Sequence, residues 1–309
     1  MRVPSSTWKF PAGLLAATFS LAQSGLPKEF SSPDAAIRAL VSSIQNDDYR
    51  RFLSIVGPDL AEVWSAGDPV RDSFERALLL DAVRQTRFKE DGKNPNRMIL
   101  YLGARGEPFP APLVRTVSGW RFDNRTGAKE LTNRRIRRNE LAAIGLCRQY
   151  VDAQLDYATR DNHGRTGFFA LRIRSSPGQR DGLYWPLDGA QDESPMGPMF
   201  GQAAFAEPQP DGAPRPLFGY YFKILVQQGA DAAGGVMDYR LDGKLVTGFA
   251  LIAWPAEYGV SGGKSFLVNQ SGEVYEKDLG AATSDTAAQM TVFDPDPTWA
   301  RAHLDGDNR

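Results

Sequence analysis

The sequence predicts an α+β protein, in which helices and antiparallel strands occupy separate parts of the chain. Apolar residues recur at helical spacing near the start of the chain and again over residues 139–158. Short apolar runs divided by glycine, proline and Asp-Gly turns follow this second helical segment, a pattern typical of antiparallel strands. A length of 309 residues is enough for two domains that each bury a core.

Composition excludes several classes of protein. The chain has 36 basic and 37 acidic residues and a formal net charge of −1, without the basic excess of a nucleic-acid-binding protein. We therefore expect no nucleic-acid partner. The single cysteine, Cys147, excludes an intramolecular disulfide, and its position on the apolar stripe of helix 139–158 predicts a buried side chain.

The amino-terminal residues predict export. Arg2 and Lys9 precede an apolar run over residues 10–21, which has the length of a signal-peptide core and is too short to span a bilayer. Small residues stand at the −3 and −1 positions of a cleavage site after Ala22. We expect a periplasmic or secreted mature protein without a transmembrane span; the alternative is a tail with a chance apolar patch.

Three helices are predicted after the export signal. Ser32 is a good N-cap and Pro33 fits the first helical position, so the first helix should begin there. The Asn-Asp-Asp run at residues 46–48 interrupts it, and a second short helix should end at Gly57. A third helical pattern covers residues 72–88.

Strands follow these helices. Residues 98–102 form a short apolar run, and residues 112–117 and 120–122 flank Ser118-Gly119 as a hairpin would. Helices followed by curved strands resemble the cone-shaped NTF2-like or cystatin-like α+β folds. We expect such a domain in the first half.

The second half combines the long helix with a strand series. Strands are expected at residues 183–186, 220–227, 235–240, 245–254, 264–269 and 273–277. Residues 188–216 are rich in proline and glycine and predict a long excursion. The predicted division is a signal peptide at residues 1–22, a linker at 23–29, an N-terminal α+β domain at 30–124, a second α+β domain at 125–282 and a C-terminal tail at 283–309.

Several stretches carry a resemblance to a known family. They are residues 133–144, 150–154, 181–186, 219–222, 249–262 and 272–280, the most specific being Trp254-Pro255-Ala256-Glu257-Tyr258-Gly259-Val260-Ser261-Gly262. The chain is identified as a member of the family of exported bacterial proteins catalogued as domain of unknown function 2950. Membership implies export and no established activity.

The second half also resembles the head domain of pilins and pseudopilins. The likeness rests on residues 139–144, on the run at 219–222 and on the final Gly-Glu-Val-Tyr stretch at 272–275. The resemblance implies one long helix packed on an antiparallel sheet. The chain lacks the apolar stem helix of those proteins and places another domain ahead of the head, so assembly by the pilin route is not expected.

Two polar clusters are candidate ion sites. Arg134, Arg135 and Arg138 lie at the start of the predicted long helix. Positive charges there interact unfavourably with the helix dipole, so we expect them to have anionic partners. We favour acidic side chains of the same protein over an anionic envelope surface. Asp161 and Asn162 lie where the family resemblance implies a calcium-loop-like segment; we expect a simple turn and no cofactor, with Ca²⁺ as the alternative.

The sequence has few residues that could form a recognised catalytic site. With two histidines in the chain, a His-based metal site or a Ser-His-Asp triad has few residues to draw on. Carboxylate pairs are an open alternative, for example Glu257 with Asp181 or with Glu276. Such a pair would support a periplasmic hydrolase or carbohydrate-active enzyme at the interface of the two halves.

Aromatic residues supply a candidate recognition patch. Tyr184, Trp185, Trp254, Glu257 and Tyr258 combine flat side chains with a carboxylate beside glycine-rich connections. They would contact an envelope protein or polysaccharide. The alternative, which we favour for the aromatic rings, is that they plug the end of the sheet.

We therefore expect a non-catalytic binding or assembly module of the bacterial envelope. A hydrolase is the rival from another class. A third option is a chaperone-like module that captures an extended peptide on an unpaired sheet edge.

Overall fold

The computed structural model describes residues 26–64, 69–92, 94–104, 106–160, 167–186, 193–197 and 216–303. The chain divides into two compact units, Met1–Glu130 and Leu131–Arg309. Helices and antiparallel sheets occur together in the described residues, which confirms the α+β class. The predicted signal peptide lies outside these residues. None of the helices in the described part of the chain has the length and apolar character needed to cross a bilayer.

Three helices open the first unit. Helix α1 (Pro33–Gln45) begins as predicted, because Ser32 Oγ accepts a hydrogen bond from the Ala35 amide at 3.2 Å. Helix α2 (Tyr49–Val56) ends at Gly57, which has a φ of +91°. Helix α3 (Pro69–Ala82) starts three residues before the prediction and ends six residues earlier.

The sheet of the first unit contains five strands: β1 (Thr86–Asp91), β2 (Asn94–Leu102), β3 (Glu107–Pro108), β4 (Leu113–Arg115) and β5 (Trp120–Phe122). The prediction of helix through residue 88 was wrong, because Thr86 pairs with Leu102 and begins the β1–β2 hairpin. The β4–β5 hairpin is confirmed. Strand β5 contacts α1 and α2, and Phe122 is fully buried against Phe109.

Helix α4 (Asn124–Thr159) starts fifteen residues before the predicted helix. Asp123 caps it, accepting from the Thr126 amide at 3.2 Å and from Thr126 Oγ1 at 2.6 Å. The arginine cluster therefore lies within the helix. Its expected position at a helix N-terminus, and the dipole argument built on it, were wrong, because arginine is a good helix former and the capping residue stands further upstream.

The second unit is built on a five-stranded antiparallel sheet. Its strands are β6 (Tyr220–Leu225), β11 (Ala250–Pro255), β12 (Ser265–Asn269), β13 (Val274–Lys277) and β14 (Ala300–Arg301), in the order β14-β13-β12-β11-β6. Two short pairs lie between β6 and β11 along the chain: β7 (Gln227–Gln228) with β8 (Met237–Asp238), and β9 (Arg240–Leu241) with β10 (Lys244–Leu245). Only an isolated bridge at Tyr184 forms where a strand was expected over residues 183–186.

Helices cover both faces of this sheet. Successive residues of a strand point to opposite faces. On one face, burial together with the nearby Glu140 and Cys147 of α4 raises the pKa of Tyr220. On the other face, Lys223 Nζ donates to the carbonyls of Ala288 at 2.6 Å and Met290 at 2.7 Å, at the end of helix α5 (Thr283–Gln289).

Cys147 lies in the core between α4 and the sheet. Its side chain is fully buried, and burial raises its pKa to about 12. A thiol held neutral in this way is a small apolar core residue, not a nucleophile.

The segment placed in the predicted tail contributes to this core. Besides α5, it supplies β14, which pairs with β13. The Phe293 and Tyr275 rings lie 6.1 Å apart, and Lys277 Nζ lies 5.6 Å from the Trp299 ring. Residues 283–302 therefore supply one edge strand of the sheet and a helix and side chains that pack on its face.

Candidate functional site

A nine-residue loop, residues 256–264, joins β11 to β12 and will be called the β11–β12 loop. It folds on itself through main-chain and side-chain hydrogen bonds. The Ser261 amide donates to the Glu257 carbonyl at 2.9 Å, and the Glu257 amide donates to Ser261 Oγ at 3.0 Å. Gly259 has a φ of +76°, a conformation that favours glycine. The loop therefore has one defined shape.

Helix α4 anchors the β11–β12 loop. Glu140 Oε1 accepts from the amides of Gly263 at 3.0 Å and Lys264 at 3.1 Å. Asn139 Nδ2 donates to the Ser261 carbonyl at 2.9 Å. Charge-assisted hydrogen bonds of this kind are stronger than neutral ones, so α4 fixes the loop at its carboxyl end.

A glycine allows the loop to approach the sheet closely. A Cβ added at Gly262 would lie 2.1 Å from Tyr220 Oη. The same hydroxyl donates to the Lys264 carbonyl at 2.9 Å. Packing against Tyr220 of β6 therefore requires a glycine at position 262, the last residue of the stretch Trp254–Gly262 that resembles the family.

The turn that precedes β6 lies beside this loop. Leu217 and Tyr220 exchange two main-chain hydrogen bonds of 2.9 Å, and the two residues between them have positive φ angles, +47° for Phe218 and +74° for Gly219. This is the pattern of a type I′ turn. The Gly219 carbonyl accepts from the Ala256 amide at 2.9 Å, which joins the turn to the β11–β12 loop.

Two aromatic rings are exposed on these adjoining segments. Phe218 is 44% exposed and Tyr258 is 38% exposed, and Glu257 is exposed beside them. Tyr258 Oη donates to Asp278 Oδ2 at 3.2 Å, and this hydrogen bond raises the pKa of the tyrosine. We call Phe218, Glu257 and Tyr258 the Phe218–Tyr258 surface.

The other residues of the predicted aromatic patch lie elsewhere. Trp185 is 6% exposed and Trp254 is 4% exposed, so both rings belong to the core. Tyr184 is half-buried, and its amide donates to the Ile173 carbonyl at 2.7 Å. Sequence reasoning missed Phe218; the signal for it was a Phe-Gly pair at the position of a hairpin turn.

The arginine cluster is largely occupied by the protein itself. Arg134 and Arg135 are half-buried on α4 and already interact with other groups of the protein. Arg138 is the exposed residue of the three predicted anion contacts.

The predicted metal ligands, Asp161 and Asn162, lie outside the described residues. Within the residues that the structure describes, His, Cys, Asp and Glu side chains form no group of three or more that could hold a metal ion.

Asp181 holds a loop of its own. Its carboxylate accepts from the Ser176 amide at 2.7 Å and from Ser176 Oγ at 2.9 Å, and Arg172 lies 3.6 Å away. Burial by itself raises the pKa of Asp181, but the hydrogen bonds and the positive charge outweigh it and hold the pKa below its ordinary value. A general acid needs the opposite shift.

A shallow cleft of about 240 Å³ lies on α4, between Asp152 and Asp156 on the helix and residues 195–197. It is smaller than most ligand pockets, which hold roughly 300–1,000 Å³. Asp156 already pairs with Arg160. The cleft is therefore a weaker candidate than the Phe218–Tyr258 surface.

A comparison with known protein families gives a match over most of the chain. The model of a family described as "Protein of unknown function (DUF2950)" matches residues 27–302. No curated protein and no solved structure matches the chain. The matched range includes α4, β6 and the β11–β12 loop.

Proposed function

The chain belongs to the DUF2950 family of proteins of unknown function, and we propose that it is an exported, non-catalytic binding module of the bacterial envelope. The family is the one that the sequence predicts. It binds an envelope polysaccharide through the Phe218–Tyr258 surface. A signal peptide over residues 1–22 directs it to the periplasm or the cell exterior.

The conformation of Phe218 carries this proposal. A left-handed φ costs an L-amino acid roughly 1–2 kcal/mol, and the residues that usually fill this turn position are Asn, Asp and Gly. Phe218 has a φ of +47° and leaves 44% of its side chain exposed. A strained, exposed aromatic residue contributes little to the core, and such outliers are concentrated at functional sites.

The rigidity of the surrounding loops supports a binding role. Glu140 and Asn139 hold the β11–β12 loop, and the Gly219 carbonyl joins it to the Phe218 turn. A surface whose main chain is already ordered loses little entropy when a partner binds. The rings can therefore act as fixed contact faces.

The chemistry of the surface favours a polysaccharide over a protein partner. Flat rings pack against the apolar faces of sugar rings, while the exposed carboxylates of Glu257 and Asp278 accept hydrogen bonds from hydroxyl groups. Two separate rings on two turns make a narrow surface, whereas a specific protein interface needs about 800 Å² from each partner. An envelope protein is the second candidate partner.

The lowered pKa of Asp181 weighs against the hydrolase alternative. Carboxylate-pair hydrolases keep one carboxyl group protonated as an acid catalyst, which requires a raised pKa. Where the pKa of a described carboxyl group departs from its ordinary value it is lowered, as at Asp181, Asp238 and Asp296. The Asp181 carboxylate is held in its charged form by hydrogen bonds from Ser176 and by the positive charge of Arg172.

The proposal also includes a fold for each of the two units. We assign an NTF2-like or cystatin-like fold to the first unit and a pilin-head-like fold to the second. A single long helix packed on an antiparallel sheet supports the second assignment. Comparison of an experimental structure with both fold families tests them.

The binding test compares wild type with Phe218→Ala, Tyr258→Ala and the double variant. Affinity electrophoresis in gels containing purified cell-wall or capsular polysaccharide measures the dissociation constant. We expect at least tenfold weaker binding for the double variant, the effect of removing central aromatic contacts. Repeating the assay with EDTA tests the Ca²⁺ alternative at Asp161 and Asn162, and we expect no change.

Matched controls are available in the same unit. Val236 and Leu241 are exposed apolar residues away from the Phe218–Tyr258 surface, so Val236→Ala and Leu241→Ala should bind as wild type does. Wild-type binding by the double variant would refute the role of the surface. A wild-type protein that binds no polysaccharide fraction but retains an envelope protein in a pull-down would replace the proposed partner.

A further inference from the structure

Two buried polar atoms in the core of the second unit have no hydrogen-bond partner in the described part of the chain. They are Trp254 Nε1 and Ser265 Oγ. Trp254 is 4% exposed and Ser265 is fully buried. An indole N–H can only donate, whereas a hydroxyl both donates and accepts.

The register of the sheet places these two residues side by side. Ile252 pairs with Leu267 in the antiparallel β11–β12 ladder. Trp254 and Ser265 stand two residues further along each strand, so they lie on the same face as that pair. Directly opposite residues of an antiparallel pair point to the same face, with Cβ atoms about 4.5–5.5 Å apart. The two unpaired atoms therefore share one face of the sheet.

This face is the one covered by α5 and the C-terminal segment. Tyr221 and Lys277 occupy the same row, because Trp254 pairs with Tyr221 and Ser265 pairs with Lys277. The Tyr221 and Trp254 rings lie 5.9 Å apart, and α5 packs on β11. Bulk solvent is thus excluded from both atoms.

We propose that one buried water molecule bridges Trp254 and Ser265. The water accepts a hydrogen bond from Trp254 Nε1 and donates one to Ser265 Oγ. Folded proteins pair nearly all buried polar groups and use ordered water where the protein offers no partner. A donor and an acceptor on neighbouring side chains of one face provide the two partners that such a water needs.

The bridge also has a place in the binding surface, and this part of the inference rests on the proposed function. Trp254 and Ser265 flank the β11–β12 loop, which carries Tyr258. Asn139 and Glu140 hold the loop from the α4 side of the sheet. The water would stabilise the base of the loop on the opposite face, where β11 ends and β12 begins.

A double-mutant cycle tests the bridge. Hydrogen exchange followed by mass spectrometry is measured on peptides covering residues 256–264 in wild type, Ser265→Ala, Trp254→Phe and the double variant. We expect Ser265→Ala to speed exchange about fivefold, the factor that corresponds to one net hydrogen bond. In the Trp254→Phe background the same substitution should change nothing, because the shared water is already lost.

Tyr220→Phe is the reference variant. It removes a hydrogen bond of known geometry to the same loop, from Tyr220 Oη to the Lys264 carbonyl at 2.9 Å. The effect of Ser265→Ala should match it. Unchanged or slower exchange in Ser265→Ala would overturn the bridge, since removing a truly unpaired buried hydroxyl is neutral or stabilising. Equal acceleration in both backgrounds would overturn it as well.

A crystal structure at high resolution provides a second readout that does not depend on the variants. We expect a single water within 3.2 Å of both atoms, the upper limit of a good hydrogen bond. Density larger than one water, or a direct contact between Trp254 Nε1 and Ser265 Oγ, would contradict the proposal. A protein that shows the water but binds no polysaccharide would refute only the proposed function.

Discussion

Phe218 combines an unfavourable backbone conformation with an exposed ring. Its φ of +47° is held by the two hydrogen bonds between Leu217 and Tyr220 and by the contact of Gly219 with Ala256. The surrounding main chain thus imposes a conformation that phenylalanine itself disfavours. Such a residue should be replaceable with a gain in stability and a loss of function.

Phe218→Asn tests whether relieving this conformation increases stability. Asparagine tolerates the left-handed region, so the free energy of unfolding should rise by about 1 kcal/mol in guanidinium denaturation. Phe218→Ala lacks the short polar side chain with which asparagine hydrogen-bonds locally in this region, and it should give no such gain. Equal stabilities of the two variants would show that the turn is not strained.

Asp181 illustrates a carboxylate used for structure. Its hydrogen bonds from Ser176 and its contact with Arg172 lower its pKa. A lowered folded-state pKa contributes stability that is fully present above the unfolded value, about 3.9 for Asp, and is lost as the pH falls through the folded value. The contribution should therefore disappear in acid.

Asp181→Asn should lower stability at pH 7 and converge with wild type as the pH falls below about 4. Thermal unfolding at a series of pH values between 7 and 2 measures this difference. Asp152→Asn, at an exposed position on α4, serves as the control. A constant gap between wild type and Asp181→Asn across the series would contradict the assignment.

Helix α4 shows how one element contains glycines with opposite roles. Gly127 meets Leu60 and Ala111, and an added Cβ would lie 2.8 Å from Leu60 Cδ2 and 2.9 Å from Ala111 Cβ. Apart from its own helix backbone and its chain neighbours, Gly145 has no atom of the described residues within 4 Å of such a Cβ. Helix propensity favours alanine at both positions by roughly 1 kcal/mol, so packing decides the outcome.

Gly145→Ala should therefore stabilise the protein by about 0.5–1 kcal/mol. Gly127→Ala should destabilise it, because overpacking typically costs about 1–3 kcal/mol and exceeds the gain in propensity. Circular dichroism during thermal unfolding compares the two variants in one experiment. A stabilised Gly127→Ala would mean that the helix start does not pack as described.

Local signals in the sequence predicted some boundaries of elements and missed others. The Ser32-Pro33 start of α1 and the glycine after α2 were predicted because capping and helix termination depend on neighbouring residues. The predicted third helix extends too far, since the pairing of Thr86 with Leu102 is a tertiary contact that overrides a helical pattern. The predicted long helix starts too late, because its cap, Asp123, stands upstream of the apolar pattern over residues 139–158.

At the scale of the whole molecule, each of the two compact units has its own core. Leu40, Phe52 and Phe122 are buried in the first unit, and Tyr220, Phe249 and Phe266 are buried in the second. The proposed surface belongs entirely to the second unit. The proposed location of the protein outside the cytoplasm depends instead on the apolar run near the amino terminus.

Cell fractionation with amino-terminal sequencing tests export. We expect mature protein outside the cytoplasm that begins at Gln23, after loss of residues 1–22. Leu14→Arg places a charge in the apolar run and should leave unprocessed protein in the cytosol. Cytosolic wild-type protein with residues 1–22 intact would refute the export proposal.

The sequence by itself determined the α+β class, the family, the start of α1 and the end of α2, because each depends on short stretches of residues. The tertiary structure decided which aromatic residues are exposed. Trp185 and Trp254 are buried while Phe218 and Tyr258 are exposed, and this difference depends on strand register and on α4 and α5 covering the sheet. The exposure of a side chain is set by residues distant in the chain, so its own sequence neighbours do not reveal it.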